Sequence, residues 1–447
     1  MIRKLVTVVS TGYLLTLSQF ALAQTAYKLT DLGQVDGVGS FAVGINGNGQ
    51  VAGFVITASH DSRAVTSADG QPFAYVQALQ LMEVSPEGIG PLGDLTGLVV
   101  VSSPPSPFAY HAFRYSAQDG LVDLGTLGGL SSTGISINAH RQVAGWSYTA
   151  AGVPRAFRST PGLPLQELPL FGGSPAQSFA GGINDAGQVV GNAEDSTGHW
   201  HGFRFTDGQP LLDLGVLGPN AVRDINQLGQ VVGASGYAFR YTDGVGIENL
   251  APQYALGSSG DAINDAGDVV GSIGQSDGGT HASRYTDQDG MIDLNDFIDP
   301  SSGWVLTGAT GINNSGQIVG VGTFNGQSPR AFLLTPVIPD VTPPVIASAQ
   351  ANPFELWPPN HKMVPVHLTI AVNDDSDPAP MCQVTSIASS EVSGTVDTAI
   401  IASLDVELRA ESLEQSGRTY SITVACADAS SNTSSTSVTV RAPHSHR

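Results

Sequence analysis

A ten-residue phrase recurs along this chain and limits the folds that are open to it. The text "GINDAGQVVG" at 182–191 returns as "AINDAGDVVG" at 262–271. An Ile-Asn pair heads six copies of the phrase, with asparagines at Asn46, Asn138, Asn184, Asn226, Asn264 and Asn313. The spacings are 92, 46, 42, 38 and 49 residues, and the first is twice the second. Such a period indicates a repeat architecture.

The sequence of each repeat predicts four short strands. A second phrase follows the first, as "HAFRYS" at 111–116 and "HGFRFT" at 201–206, and a third follows that, as "LVDLGTLGG" at 121–129. Asn, Asp and Gly stand between the apolar runs, where a hairpin needs residues that tolerate positive φ. Four strands in about 40 to 50 residues are typical of a β-propeller blade. The sequence therefore predicts an all-β fold with a β-propeller over residues 24–336.

The repeat region starts and stops in the middle of a unit. "YKLTDLG" at 27–33 matches the second half of a repeat, and "RAFLLTP" at 330–336 matches the first half. We predict that the two ends pair and complete one blade, which removes exposed sheet edges. An open β-solenoid is the alternative, and it gives no reason for the staggered ends. We expect seven blades, with six as the alternative, because "VVVSSPPSP" at 99–107 stands where one Ile-Asn hairpin belongs.

Arginines in the second phrase keep a fixed distance from a polar residue in the third. Five pairs are nine residues apart: Arg114 and Asp123, Arg158 and Glu167, Arg204 and Asp213, Arg240 and Asn249, and Arg284 and Asp293. We expect cross-strand pairs on one face of each blade. A ring of arginines that binds an anionic ligand is the alternative.

The recurrent "HAFRYS…LVDLGTLGG…INAHRQVAGW" resembles the HAF-repeat family of bacterial extracellular proteins over about residues 27–336. The resemblance implies export and a repeat architecture, without an established activity. "ASRY" at 282–285 and "AFLL" at 331–334 depart from the family pattern.

The N-terminus and the charge indicate an exported protein. Residues 1–23 read as a signal peptide: Arg3 and Lys4, an apolar stretch, then Ala21-Leu22-Ala23. The net charge is −21, and only Lys28 and Lys362 remain as lysines after cleavage. We therefore expect no nucleic-acid partner and no transmembrane segment in the mature chain, which we place outside the cell or in the periplasm of a bacterium.

The C-terminal part is predicted to be a second β module. A Pro-rich linker spans 337–344, alternating strands at 345–442 predict an immunoglobulin-like sandwich, and 443–447 form a tail. "FELWPPNHKMVPV" resembles small extracellular modules of the hyalin-repeat type. Cys382 and Cys426 both lie in strand-like text, so we predict one disulfide. Four acids are calcium candidates, with solvated turn acids as the alternative: Asp374, Asp375, Asp377 and Asp428.

No catalytic motif is recognised in the sequence. A nucleophile elbow, a zinc-protease helix, a phosphate loop and a dinucleotide fingerprint are all missing. His111, His201 and His281 recur in one repeat position, which favours a structural role. We therefore expect a secreted, non-catalytic binding or scaffold protein, without a cofactor unless calcium binds, that presents propeller loops to an extracellular glycan or protein. A propeller-type polysaccharide hydrolase or lyase is the alternative.

Overall fold

The computed structural model describes residues 26–68, 70–80, 82–102, 108–171, 176–337, 340–392 and 396–445. The predicted signal peptide lies outside these residues. The regular secondary structure of the described residues is β-strand apart from two short 3₁₀ helices, Gln77–Leu79 and Leu294–Phe297. It divides into two compact units, residues 1–337 and 338–447. The all-β prediction is confirmed.

The described part of unit 1 contains seven four-stranded antiparallel sheets, numbered here in chain order. Strand β1 (Ala26–Asp31) belongs to the last of them. Sheet 1 contains β2 (Gly39–Ile45), β3 (Val51–Ile56), β4 (Ser62–Ser67) and β5 (Ala74–Tyr75). Sheet 2 contains β6 (Val84–Ile89), β7 (Leu95–Ser102), β8 (Ala109–Ser116) and β9 (Gly120–Asp123). Sheet 3 contains β10 (Gly128–Ile137), β11 (Val143–Thr149), β12 (Pro154–Ser159) and β13 (Gln166–Glu167).

The remaining sheets follow the same order. Sheet 4 contains β14 (Ser178–Ile183), β15 (Val189–Glu194), β16 (Trp200–Phe205) and β17 (Leu212–Val216). Sheet 5 contains β18 (Val222–Ile225), β19 (Val231–Ala234), β20 (Ala238–Thr242) and β21 (Gly246–Asn249). Sheet 6 contains β22 (Ser258–Ile263), β23 (Val269–Gly274), β24 (Thr280–Thr286) and β25 (Gly290–Asp293). Sheet 7 contains β26 (Trp304–Ile312), β27 (Ile318–Phe324), β28 (Pro329–Val337) and then β1.

The two ends of the repeat region meet in sheet 7, as the sequence predicts. β1 pairs with β28 over six residues, from Ala26 opposite Val337 to Asp31 opposite Phe332. The first strand of the chain thus becomes the fourth strand of the last sheet, and the two ends of the repeat region are hydrogen-bonded to each other.

The repeated asparagine builds the hairpin between the first and second strands of a sheet. In sheet 4, the side-chain oxygen of Asn184 accepts from the backbone N–H of Gln188 at 3.0 Å, and its backbone oxygen accepts from Gly187 N at 3.0 Å. Gly187 has φ +74°, a left-handed conformation that glycine adopts without a Cβ clash. The phrase thus encodes a tight turn, and its β-branched end forms the buried second strand.

A buried phenylalanine on the third strand packs over a glycine of the second strand. The phenylalanines are fully buried, and the pairs are Phe113 and Gly97, Phe157 and Gly145, Phe203 and Gly191, Phe239 and Gly233, and Phe332 and Gly320. A Cβ on Gly191 would lie 2.1 Å from the backbone oxygen of Phe179 and 2.9 Å from the ring of Phe203. The glycine therefore permits the close approach of the first strand and the ring at once.

The prediction that each arginine lies opposite the polar residue nine positions later is wrong. Asp123 lies opposite Phe113, and Val122 lies opposite Arg114. The third and fourth strands of sheets 2, 5 and 6 are joined by three-residue loops, so directly opposed residues are an even number apart. Residues nine apart therefore point to opposite faces of the sheet. The same one-residue slip separates Arg158 from Glu167, Arg204 from Asp213, Arg240 from Asn249, and Arg284 from Asp293.

The arginines bind acids of their own or the next sheet instead. Arg158, Arg204 and Arg240 each lie 2.8 Å from an aspartate of the following sheet, which is Asp207, Asp243 and Asp287 respectively. Arg284 and Arg114 lie 2.6 and 3.8 Å from acids of their own hairpins, Asp289 and Asp119. These side chains join adjacent sheets or close their own turns.

Unit 2 contains two antiparallel sheets that share one apolar core. One sheet has the order β29 (Val345–Asn352), β30 (Met363–Asn373), β33 (Asp405–Arg409) and β32 (Thr398–Ala402). The other has β31 (Met381–Ser389), β34 (Arg418–Ala427) and β35 (Thr433–Ala442). Leu368 and Leu408 of the first sheet and Tyr420 and Val440 of the second are fully buried in this core. The predicted disulfide is confirmed: Cys382 and Cys426 are bonded across β31 and β34.

Candidate functional site

The first strands of the seven sheets surround a central cavity of about 220 Å³. Each of these strands contacts the first strand of the next sheet, and that of sheet 7 contacts that of sheet 1. Every one of them is interrupted by a β-bulge close to its end. A bulge redirects a side chain out of the regular alternation. The bulge residues line the cavity or its rim: Val43, Glu87, Ile135, Gly181, Arg223, Asp261 and Thr310.

These seven positions share one geometry and carry seven different side chains. Arg223 of sheet 5 forms an ion pair with Asp261 of sheet 6. Thr310 of sheet 7 donates from its hydroxyl to the backbone oxygen of Ala42 in sheet 1, at 2.8 Å. The cavity therefore brings unlike polar groups together once, as a binding or active site requires.

Two carboxyl groups of the cavity hold protons more tightly than in water. Burial raises the pKa of Glu87 from 4.5 to about 7, and that of Asp224 from 3.8 to about 6. Glu87 is exposed toward the cavity, and the strands that surround the cavity lie close around its carboxyl group. Asp224 accepts from the backbone N–H groups of Ile225 and Ile263 at 2.8 and 3.1 Å, so it also joins sheet 5 to sheet 6.

Burial lowers the pKa of the Arg223 guanidinium, which nonetheless stays charged at neutral pH. Its partner Asp261 also accepts from the hydroxyl of Ser259 at 3.0 Å. The ion pair leaves Glu87 and Asp224 as the acids without a cationic partner among the described cavity residues.

An aromatic groove of about 310 Å³ adjoins the cavity above sheets 3 to 5. Trp146 and Phe179 line it, with ring centroids 5.7 Å apart and an interplanar angle of 71°. Arg223 and Gly181 belong to both the groove and the central cavity. Gly181 has no room for a side chain, since a Cβ would lie 2.8 Å from the backbone oxygens of Val222 and Arg223. The groove therefore stays open toward the cavity.

Further half-buried aromatic rings contact Trp146 and Phe179. Tyr110 lies 6.3 Å from Trp146, and Trp200 stacks on Phe179 at 5.9 Å and 27°. The floor is fixed by Asn192, whose side-chain oxygen accepts from the backbone N–H groups of Ala221 and Val222 at 3.0 Å. The result is an apolar platform beside polar groups, which is the usual composition of a small-molecule site.

Three of the acids that were predicted to pair with arginines lie next to histidines of the repeat instead. His111 lies 2.9 Å from Asp123, His201 lies 3.0 Å from Asp213, and His281 lies 2.6 Å from Asp293. Arg155 and Glu167 form the equivalent pair in sheet 3 at 3.1 Å. The recurrence agrees with the structural role that the sequence predicts for these histidines.

The predicted calcium ligands are only partly brought together in unit 2. Side-chain oxygens of Asp374 and Asp375 lie within 4.8 Å of each other and of Asp340, which sequence reasoning missed. Asp377 instead accepts from the backbone N–H of Ala429, and Asp428 from the backbone N–H of Asn432. Asp428 thus closes a turn, and Asp377 joins two segments that are 52 residues apart in sequence. Calcium at Asp340, Asp374 and Asp375 stays a prediction.

The sites predicted from the sequence do not include the cavity residues, although their positions follow a regular sequence pattern. Every bulge residue lies three positions before the repeated asparagine, or before Gly90 in sheet 2. A scan of the positions three residues before each repeated asparagine finds six of the seven, and it misses Glu87 because Gly90 replaces the asparagine. Trp146 has no such signal, because it lies in a strand whose apolar alternation is equally consistent with a core residue.

No protein-family model and no curated protein matches the sequence. Among solved structures, the BP39L lectin from Burkholderia pseudomallei is 7% identical, covering 66% of this chain and 98% of its own, with a TM-score of 0.37. A gluconolactonase from Xanthomonas campestris is 8% identical, covering 70% and 90%, with a TM-score of 0.37. The six-bladed β-propeller lectin from Aleuria aurantia is 11% identical, covering 60% and 94%, with a TM-score of 0.31.

The strand pairing itself defines the class: unit 1 is a β-propeller. No helix among the described residues is both long and apolar enough to cross a membrane. The disulfide is consistent with a location outside the cytoplasm, where such bonds persist.

Proposed function

We propose that the chain is a secreted, non-catalytic glycan-binding protein of the HAF-repeat kind, with a closed seven-bladed propeller followed by an immunoglobulin-like module. The circular contacts of the first strands and the pairing of β1 with β28 support the closed ring of seven. The two sheets around one core support the sandwich. The phrases quoted above support the family resemblance.

The observation that carries the glycan proposal is the groove at Trp146 and Phe179. Both rings are half-buried and line an open groove. The carbon-bound hydrogens of a pyranose ring pack against an aromatic face, while its hydroxyl groups need polar partners at the rim. Arg223 lies at that rim, and the acids of the cavity lie beyond it.

A glycan array probed with the full secreted protein tests the proposal. The matched variants are Trp146→Ala and Phe54→Ala, because Phe54 occupies the same register position in sheet 1 and stacks on Phe41 at 5.0 Å. We expect the parent to bind at least one oligosaccharide, and Trp146→Ala to weaken that binding by about 30-fold or more, as for a central aromatic anchor. Phe54→Ala should bind like the parent. Absence of binding by the parent, or equal losses of binding in both variants, would refute the proposal that the groove binds a glycan.

A polysaccharide hydrolase or lyase is the second candidate, favoured by one observation. Glu87 has a pKa of about 7, which suits a general acid at neutral pH. Against it, Asp261 is held in the ion pair with Arg223, and Asp224 accepts two backbone N–H groups that join sheets 5 and 6. Reducing-end release from the glycan that the array identifies, abolished by Glu87→Gln while binding persists, would establish the enzyme instead.

A further inference from the structure

Three junctions between sheets share one arrangement around an arginine. Arg158 of sheet 3 donates to the backbone oxygen of Gly187 in sheet 4 at 3.0 Å, binds Asp207, and lies over the ring of Phe205 at 5.3 Å. Arg240 of sheet 5 does the same with Gly267, Asp287 and the ring of Tyr285 in sheet 6. Arg204 reaches Gly229 and Asp243 between sheets 4 and 5. A guanidinium thus meets a carbonyl oxygen, a carboxylate and, in two junctions, an aromatic face.

The junction between sheets 1 and 2 has the same frame without the arginine. Thr66 occupies the arginine's register position, opposite Ala52 as Arg158 is opposite Ala144. Gly93 takes the place of Gly187, Tyr115 that of Phe205, and Ala117 that of Asp207.

The space that the arginine fills elsewhere is open at this junction. A cavity of about 420 Å³ lies there and is lined by Thr66, Gly93, Tyr115 and Ala117, together with Gln50. In the junctions with arginine, by contrast, the Arg158 and Arg240 side chains are only 7% exposed. Leu333, which holds the arginine's position in sheet 7, is also buried. Thr66 is too short to fill the equivalent volume.

We propose that this cavity, called here the sheet 1–2 slot, binds a guanidinium group supplied from outside the chain. The group would lie against the face of Tyr115 and donate to the carbonyl oxygen of Gly93, as the built-in arginines do in the equivalent places. No hydrogen bond from the described residues reaches that oxygen. Because Ala117 replaces the aspartate, the described lining of the slot offers the cation a ring face, a carbonyl dipole and neutral polar side chains, and its affinity is expected to be weak. The inference is independent of the glycan proposal.

The test uses the full chain and measures binding by calorimetry or by chemical shifts of Tyr115. The probes are agmatine, as a small guanidino compound, and an acetylated and amidated Gly-Arg-Gly peptide, as a chain-borne arginine; the corresponding Gly-Lys-Gly peptide is the control. Ala117→Asp restores the missing carboxylate on an exposed loop and should tighten guanidinium binding by about tenfold. Thr66→Arg should fill the slot and abolish binding.

Tyr285→Leu is the matched control, because it alters an equivalent ring whose slot already holds Arg240. It should leave binding of the probes unchanged. The proposal is overturned if Ala117→Asp binds neither guanidinium probe at millimolar concentration, if the lysine peptide binds equally well, or if Thr66→Arg binds as the parent does. Binding of either guanidinium probe in the expected order supports it, and the tighter of the two identifies the source.

Discussion

Asn313 donates from its side-chain amide to the backbone oxygen of Asn46 at 3.1 Å, across 267 residues of sequence. The same bond joins each repeated asparagine to its equivalent in the next sheet: Asn138 to Asn184, Asn184 to Asn226, Asn226 to Asn264, and Asn264 to Asn313. Asn46 reaches the backbone oxygen of Gly90 at 3.5 Å. The asparagine therefore has two roles, since it closes its own turn and binds the neighbouring sheet.

The series has one gap, where Gly90 replaces asparagine at the junction of sheets 2 and 3. Gly90→Asn should complete the series by a bond to the backbone oxygen of Asn138, which lies 3.7 Å from a Cβ built at position 90. We expect the free energy of unfolding to rise by about 0.5 to 1.5 kcal/mol, less any crowding against Ile137. Thermal unfolding measures it. Gly47→Asn, on an open surface, is the control, and a lower melting temperature for Gly90→Asn alone would show that crowding dominates.

An arginine at a junction between sheets should contribute more to the free energy of unfolding than an arginine that bonds only within its own hairpin. Arg240→Met removes bonds to Gly267 and Asp287 from a side chain that is 7% exposed, and we expect it to destabilise the protein by about 2 kcal/mol. Arg63→Met removes an ion pair with Asp61 and a bond to the backbone oxygen of Ser62, both within one hairpin, for which about 0.5 kcal/mol is expected. Chemical denaturation compares the two. Equal losses would argue against the inter-sheet role.

The sequence predicted the strand architecture because its signals are local. The turn at Asn184 and Gly187 is encoded within five residues, and the matching halves at Tyr27 and Arg330 indicated the pairing of the ends. The face of Arg114 was not predictable from spacing, because the three-residue loop after Ser116 changes which residues are opposed. Asp340 could not be grouped with Asp374, because nothing local relates residues that far apart.

The buried ion pair of unit 2 should be sensitive to loss of either partner. Arg418 and Glu391 are 0% and 3% exposed, with Nε and Oε2 3.1 Å apart. Glu391→Gln weakens one of two carboxylate contacts of the guanidinium, which keeps Asp397 at 2.9 Å, and we expect a loss of about 2 kcal/mol. Amide hydrogen exchange of β34 in the full chain measures it. Glu411→Gln, at a half-buried acid near His361, should change exchange little.

The same pair has a defined pH dependence. Burial alone raises the pKa of Glu391, but hydrogen bonds from Leu413 N, Ser412 and Arg418 outweigh it and hold the pKa below its ordinary value of 4.5. A lowered carboxyl pKa stabilises the folded state above the unfolded pKa, and this stabilisation is lost as the pH falls through the folded value. The difference between the parent and Glu391→Gln should therefore be large at pH 7 and shrink toward pH 3. A difference that stays constant would assign the loss to packing.

Glu87 of the central cavity should have the opposite dependence. Its folded pKa of about 7 lies above its ordinary value of 4.5, so the folded state binds the proton more tightly than the unfolded chain does. Stability must then fall as the pH rises between these two values. Glu87→Gln keeps the size and removes the ionisation, so the variant should match the parent near pH 4.5 and be more stable than it at pH 8. Melting temperatures of both proteins across this range measure the difference, in which the effect of the chain's overall negative charge cancels. If the two curves stay parallel, Glu87 is solvated like a surface carboxylate, and it loses its suitability as a general acid at neutral pH.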